Sequence, residues 1–153
     1  MDTESISLRR IGYWCHVGSG RVHFAAYDAL PDPRVLVEPS WDPNLRNNVL
    51  GYLRQGWIRS LSPGYSYCRF ECGIPDSRMG SRTFTDGVWV WPEGLSHYIE
   101  AHAVGLPFEF LDHLQQRGFK YPDQVTHSSF LMQSEWMQLE MDPLLIAEQS
   151  KTD

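Results

Sequence analysis

Residues 85–102 read TDGVWVWPEGLSHYIEAH, and this stretch decides most of what the sequence predicts about the fold. The Asp-Gly pair is a strong signal for a tight hairpin turn, and the alternation of valine and tryptophan after it is typical of a strand. Pro92 and Glu93 then favour a helix start, because proline suits the first turn and a carboxylate stabilises the positive end of the helix dipole. The stretch therefore predicts a turn, an aromatic strand and a helix that carries His97 and His102.

The same kinds of signal predict elements on both sides of this stretch. Asp42 caps a helix that starts with Pro43 and ends at Gly56, and a later helix starts at Pro107 and ends at Gly118. The later helix is predicted to turn inward the side chains of Phe108, Leu111 and Leu114. Short strands are predicted over 57–61, 65–72, 82–84 and 88–91, with a hairpin between 11 and 27 and a last helix over 128–140.

These elements predict a single α+β domain, in which a small antiparallel sheet packs against three or four helices. The 153 residues suit one domain, with a motif-bearing core of about residues 31–118. Residues 1–7 and 148–153 are expected to be loose ends. Hydrophobic residues make up 42 % of the chain and charged residues 21 %, which is typical of globular proteins.

The balance of charge bears on possible partners. The formal net charge is −6, with 13 Lys and Arg against 19 Asp and Glu. Because nucleic-acid binding requires basic residues for the phosphates, the composition disfavours DNA and RNA. An acidic surface suits a basic protein partner.

Three aromatic side chains are candidates for a partner-binding surface, namely Trp89, Trp91 and Tyr98. The alternative is that they belong to the core, since a half-buried strand favours large rings. The sequence leaves both interpretations open.

The cysteines and the hydropathy indicate the compartment. Three cysteines, Cys15, Cys68 and Cys72, follow a polar start at residues 1–5, which is unlike a secretory signal. An odd number of cysteines suggests a reducing compartment, and no apolar run approaches the ~20 residues needed to cross a bilayer. We therefore expect a cytoplasmic protein without membrane contact.

Two cysteines and two histidines form a candidate structural zinc site. Zinc binds four ligands in a tetrahedron, commonly thiolate and imidazole; Cys68 and Cys72 would supply two, and His97 and His102 the others. Residues five apart lie about 140° apart around a helix, so the histidines converge only if the helix end tightens or unwinds. The alternative is that the cysteines are small core residues and the histidines hydrogen-bond to neighbours. No other cofactor is predicted.

Several strings together resemble the pattern of a family of small uncharacterised bacterial proteins. They are Cys68 to Gly73, Thr85 to Gly87, Trp91 to Tyr98, and then His102 and Leu106-Pro107. The pattern combines a Cys-Arg-x-Cys-Gly-like knuckle with Thr-Asp-Gly, an aromatic strand and Trp-Pro-Glu-Gly-Leu-x-His-Tyr. This chain has three residues between the cysteines where the family pattern has two. The resemblance spans about residues 31–114; it implies a shared fold and no mechanism.

The expected function is non-enzymatic protein binding, because no phosphate-binding loop and no nucleophile elbow occurs in the sequence. A concrete form is an immunity-type protein that neutralises a basic toxin or a similar partner. The alternative is a metal-dependent hydrolase that uses Glu93, His97 and Asp86. Turn chemistry explains Asp86 equally well, and pairing along a helix surface explains Glu93 with His97.

Overall fold

The computed structural model describes residues 8–18, 28–61 and 64–123. Most of the hairpin predicted between 11 and 27, the helix predicted over 128–140 and the loose ends at 1–7 and 148–153 lie outside these residues. Within the described part, no helix has both the length and the apolar character needed to cross a membrane.

A small sheet forms one layer of the fold. Its strands are β1 (Arg9–Arg10), β2 (Trp57–Leu61), β3 (Arg82–Thr85) and β4 (Trp89–Pro92), in the order β1-β4-β3-β2. The pairs β2–β3 and β3–β4 are antiparallel, and the short β1 joins the edge of β4 in parallel. A register shift between Ile58 and Ser60 marks a bulge in β2.

The helices among the described residues are a 3-10 turn at Pro33–Val35 and four α-helices, α1 (Pro43–Leu53), α2 (Asp76–Met79), α3 (Leu95–His102) and α4 (Phe108–Gln116). Helix α1 begins as predicted, because the Asp42 carboxylate accepts a hydrogen bond of 2.9 Å from the backbone N–H of Leu45. Helix α1 packs against α3 and α4. The α+β prediction, a small sheet with about four helices in one domain, is therefore confirmed.

The strand predicted over 65–72 is wrong. Residues 65–68 are irregular and residues 69–70 form a turn, in which Glu71 N–H donates to Cys68 C=O at 3.1 Å. The apolar residues there pack without a strand partner on either side in the described part of the chain. The four-residue helix α2 that follows was not predicted.

Two helix predictions need correction. Pro92 is the last residue of β4, and α3 starts three residues later at Leu95. The hairpin ladder extends further than expected, because Glu93 N–H donates to Arg82 C=O at 2.9 Å. Phe108 does not point inward; as the first residue of α4 it is 75 % exposed, while Phe110 and Leu114, four residues apart, are fully buried.

The core lies between the sheet and helices α1, α3 and α4. Trp89 and Trp91 are each 1 % exposed and Tyr98 is 2 % exposed. A side chain so deeply buried cannot contact another protein, so the prediction that these three rings form a partner-binding surface is wrong. They belong to the core, which was the alternative.

Candidate metal centre

The two cysteines of the predicted site lie at the ends of a tight turn between β2 and α2. Glu71, with φ of 51°, adopts the left-handed conformation, and so does Gly73, with φ of 88°. Glu71 lies between the two cysteines, and its left-handed conformation changes the local course of the backbone there. The thiols of Cys68 and Cys72 lie close together in the resulting turn. Cys68 is buried and Cys72 is exposed, so the centre lies at the rim of the core.

Helix α3 supplies the two histidines near a well-defined end. Ala103 follows the helix with φ of 53°, and its N–H and that of Val104 donate to Ile99 C=O and Tyr98 C=O at 3.2 and 3.1 Å. This left-handed ending closes the last helical turn. The imidazole centroids of His97 and His102 lie 5.1 Å apart, so the rings converge despite their five-residue spacing.

Phe70 orients one of these histidines. Its ring is parallel to the imidazole of His102, with 4.1 Å between centroids and 2° between planes. This contact restricts the orientation of the His102 ring. Sequence reasoning missed the role of Phe70; its position between two candidate ligands is the only signal that could have indicated it.

Two of the distances between the four candidate ligand atoms are close to those around a tetrahedral zinc ion. Cys68 Sγ lies 3.4 Å from His102 Nε2, and Cys72 Sγ lies 3.5 Å from His97 Nε2. With Zn–S of about 2.3 Å and Zn–N of about 2.0–2.1 Å, tetrahedral geometry gives an S···N separation of about 3.6 Å. All four atoms lie within 4.8 Å of one another. The four residues therefore lie close together, as predicted, and could bind a metal ion.

Burial shifts the pKa of three of the four candidate ligands. It raises the pKa of the Cys68 thiol above its usual value, and the neighbouring Cys72 thiol adds to this effect. Burial lowers the pKa of both His97 and His102, although Glu100 partly opposes it at His97. Neutral imidazole is the form that binds metal, and a bound cation would convert the thiols to thiolates.

A second set of hydrogen bonds ties the cysteine-bearing turn to α3. The Tyr98 hydroxyl accepts from Arg69 N–H and donates to Tyr67 C=O, each at 3.0 Å. Burial raises the pKa of Tyr98 to about 12, so the hydroxyl keeps its proton for this bond. Tyr98, the neighbour of His97 on α3, thus binds the backbone of Tyr67 and Arg69 on either side of Cys68.

The residues of the predicted hydrolase do not form a comparable group. Glu93 Oε2 accepts hydrogen bonds from Ser81 N–H and Arg82 N–H at 3.1 and 3.2 Å. Across the residues that the structure describes, the only group of three or more side chains that could hold a metal is the Cys2His2 cluster. His97 belongs to it, whereas Asp86 and Glu93 do not.

Asp86 instead joins the hairpin turn to two helices. Its carboxylate accepts hydrogen bonds from the Tyr52 hydroxyl at 2.6 Å and from His113 Nε2 at 2.9 Å. The other oxygen accepts from the backbone N–H groups of Val88 and Trp89, at 2.9 and 2.7 Å. The side chain is fully buried. Asp86 therefore has the structural role of a turn residue and also connects the turn to α1 and α4.

Asp86 is expected to make stability depend on pH. Burial alone raises the pKa of this carboxyl, but the hydrogen bonds from His113, Tyr52 and the two N–H groups outweigh burial, so the pKa lies below its usual value. A folded pKa below the unfolded value of about 3.9 gives stability that is fully present above about pH 5 and is lost as the pH falls through the folded pKa.

The measurement is the free energy of unfolding of the wild type and of Asp86→Asn, determined in urea from pH 7 to pH 3. The difference between the two proteins should stay constant down to about pH 5 and shrink below about pH 4. Comparison at each pH cancels effects that both proteins share, such as protonation of the metal ligands. A difference that is the same at pH 7 and pH 3 would contradict this role for Asp86.

Comparison of the chain with protein-family models, with curated proteins and with solved structures found no match.

Proposed function

We propose that the chain is a non-catalytic module whose fold is stabilised by a structural zinc ion bound to Cys68, Cys72, His97 and His102. The observation that carries this proposal is the proximity of the two sulfur and two nitrogen atoms: each Sγ lies 3.4 or 3.5 Å from an Nε2, near the separation expected around tetrahedral zinc, and all four atoms lie within 4.8 Å of one another. The cluster connects the turn that carries Cys68 and Cys72 to helix α3. No strand pairing joins these two segments.

The ligand set favours zinc in a structural role. Two thiolates and two imidazoles suit zinc better than they suit magnesium or calcium, which prefer oxygen ligands. Catalytic zinc sites usually have three protein ligands and leave one position for water. Here the protein offers four ligands, which fill a tetrahedron and leave no position for a substrate.

Metal analysis tests this proposal directly. The purified protein is expected to contain about one zinc ion per chain after dialysis, and a strong chelator is expected to remove the metal together with much of the near-ultraviolet circular dichroism. Restoring zinc should restore the signal. A structural zinc would be contradicted if the purified protein contained no metal and the chelator left its thermal midpoint unchanged. A metal-bound protein that stays folded without the metal, and whose metal carries exchangeable water, would favour the hydrolase.

A groove favours a second proposal, that the module binds another protein. The groove has a volume of about 550 Å³ and lies between the 3-10 turn and the start of α4. Three apolar side chains along it are unusually exposed: Phe108 (75 %), Val35 (61 %) and Val37 (42 %). The Trp41 indole N–H donates to Val104 C=O at 3.0 Å and fixes one wall.

The charge of the groove indicates the kind of partner. Its charged lining residues are Glu38 and Asp42, and no basic residue of the described chain lines it. Hydrogen bonds from Ser40 hold the pKa of Glu38 below its usual value, so this carboxylate is charged at neutral pH. We propose a basic segment of a partner protein, with an apolar side chain beside Lys or Arg, as the occupant. An immunity-type role toward a basic toxin is one form of this proposal.

Substitution of Phe108 tests the groove. The probe is a short peptide of alternating lysine and leucine, with a glutamate–leucine peptide of the same length as its counterpart. The basic peptide is expected to shift the NMR signals of residues 35–38 and 105–111, and Phe108→Ser should weaken its binding about tenfold, because exposed aromatic anchors contribute more than about 1 kcal/mol. Leu61→Ser is the control, since Leu61 is 61 % exposed on β2, outside the groove. Equal binding of both peptides, or equal loss in both variants, would contradict a specific basic partner.

A further inference from the structure

A second cavity, of about 300 Å³, lies beside the cysteine-bearing turn. Its walls come from residues 12–16, the segment 64–69 and the strands β3 and β4. Many of its lining side chains are aromatic, namely Tyr13, Trp14, Tyr65, Tyr67 and Tyr98. Sites for small molecules have this character, with apolar and aromatic walls and a few polar groups that orient the ligand.

Arg69 supplies the polar group of this cavity. Its side chain lines the cavity, yet the residue is only 8 % exposed. The guanidinium donates to Cys15 C=O at 3.1 Å, to the Ser66 hydroxyl at 3.1 Å and to Tyr67 C=O at 2.8 Å. The guanidinium carbon also lies 4.1 Å from the centroid of the Tyr67 ring.

All the acceptors of Arg69 are uncharged. Nε and Nη1 make the three hydrogen bonds, and the guanidinium also interacts with the Tyr98 hydroxyl. Within residues 8–18, 28–61 and 64–123, no carboxylate is paired with the guanidinium. Buried charges in proteins are normally paired, because removing an ion from water without a counter-charge is unfavourable. Arg69 therefore suits an anion that the protein itself does not provide.

The other charged groups of the cavity agree with an anionic ligand. Besides Arg69, the charged lining residues are Arg82 and Glu93. The Glu93 carboxylate already accepts two backbone hydrogen bonds, from the N–H groups of Ser81 and Arg82. The cavity wall thus has more positive than negative charge, in a chain whose net charge is −6.

We propose that this cavity binds a small monoanionic carboxylate with a planar apolar body. The carboxylate pairs with the guanidinium of Arg69, and the ring lies against the tyrosine and tryptophan walls. One guanidinium charge without a carboxylate partner matches one negative charge, which favours a carboxylate over a phosphate. The volume limits the ligand to a single ring with a short side chain. This site is separate from the proposed binding groove and from the metal centre.

Ligand titration of the full chain tests the site, with the metal content of every sample measured. Benzoate is the probe, benzamide is the neutral counterpart of the same shape, and inorganic phosphate is the alternative anion. Benzoate is expected to bind with a dissociation constant of about 1 mM or tighter and to shift the NMR signals of residues 64–69 and 80–83. Benzamide and phosphate should each bind at least about tenfold more weakly.

Arg69→Gln is expected to weaken benzoate binding at least about tenfold. Arg54→Gln is the matched control, because the exposed Arg54 pairs with Glu100 outside the cavity, and it should bind benzoate like the wild type. If Arg69→Gln fails to fold, Tyr65→Ala provides the second variant; Tyr65 is 62 % exposed, and its loss should weaken binding severalfold without unfolding the chain. Any of four results would overturn the proposal: no saturable binding of benzoate, equal binding of benzamide, tighter binding of phosphate, or full binding of benzoate by Arg69→Gln or Tyr65→Ala.

Discussion

Cys72→Ser is expected to abolish stoichiometric zinc binding and to lower the thermal midpoint by about 10 °C or more. The serine hydroxyl is a poor zinc ligand, so three ligands remain, and the free energy of metal binding no longer stabilises the fold. A loss of about 3 kcal/mol or more corresponds to a shift of about this size in a domain of about 150 residues. Metal analysis and thermal unfolding of the purified variant measure both effects.

The chain contains a matched control for this substitution. Cys15 is the third cysteine and is partly buried, but it is not a member of the cluster. Cys15→Ser should therefore retain the zinc and shift the thermal midpoint much less than Cys72→Ser. Equal zinc content in the wild type and Cys72→Ser would rule out the proposed ligand set, even if both variants were less stable.

Asp86→Ala is expected to lower the free energy of unfolding by about 3–5 kcal/mol, because it removes one carboxylate from the centre of a buried network. The substitution leaves the hydroxyl of Tyr52 and the N–H groups of Val88 and Trp89 without their acceptor. It also removes the hydrogen bond that holds His113 of α4. Urea unfolding at pH 7 measures the change.

Asp112→Ala serves as the comparison on the same helix that carries His113. The Asp112 carboxylate accepts an exposed hydrogen bond from the Gln116 side chain at 2.7 Å, so its removal should change the free energy of unfolding by less than about 0.5 kcal/mol. Similar values for Asp86→Ala and Asp112→Ala would contradict the structural importance assigned to the buried network.

Local signals in the sequence predicted the elements whose formation depends on neighbouring residues. The Asp42-Pro43 start of α1 and the hairpin around Asp86-Gly87 are of this kind, since a cap and a turn act within a few residues. The exact start of α3 could not be predicted, because it depends on a hydrogen bond from Glu93, just after β4, to Arg82 of β3, eleven residues earlier in the chain.

Residue type alone identified the four members of the candidate metal site, because cysteine and histidine are the ligands that zinc prefers. How they converge could not be predicted. It depends on the left-handed backbone of Glu71, a residue type that seldom adopts this conformation, and on the stacking of Phe70 against His102.

Contacts between distant parts of the chain could not be predicted from the sequence. The parallel pairing of Arg9 with Trp89 joins residues 80 positions apart in the chain, and no local pattern indicates it. The same holds for His113, whose bond to Asp86 became visible only with the packing of α4. The burial of Trp89 and Trp91 likewise depends on a distant helix, since both rings pack edge-on against Phe110 of α4.

The bulge in β2 affects how the protein behaves at high concentration. Among the residues that the structure describes, β2 is an outer strand of the sheet. Its Ile58 and Leu61 are 50 % and 61 % exposed, a combination that can recruit strands from other molecules and start aggregation. The register shift between Ile58 and Ser60 interrupts the regular spacing of the outer N–H and C=O groups. A second copy therefore cannot add a long, continuous ladder along this edge, which protects the chain against fibril-like self-association.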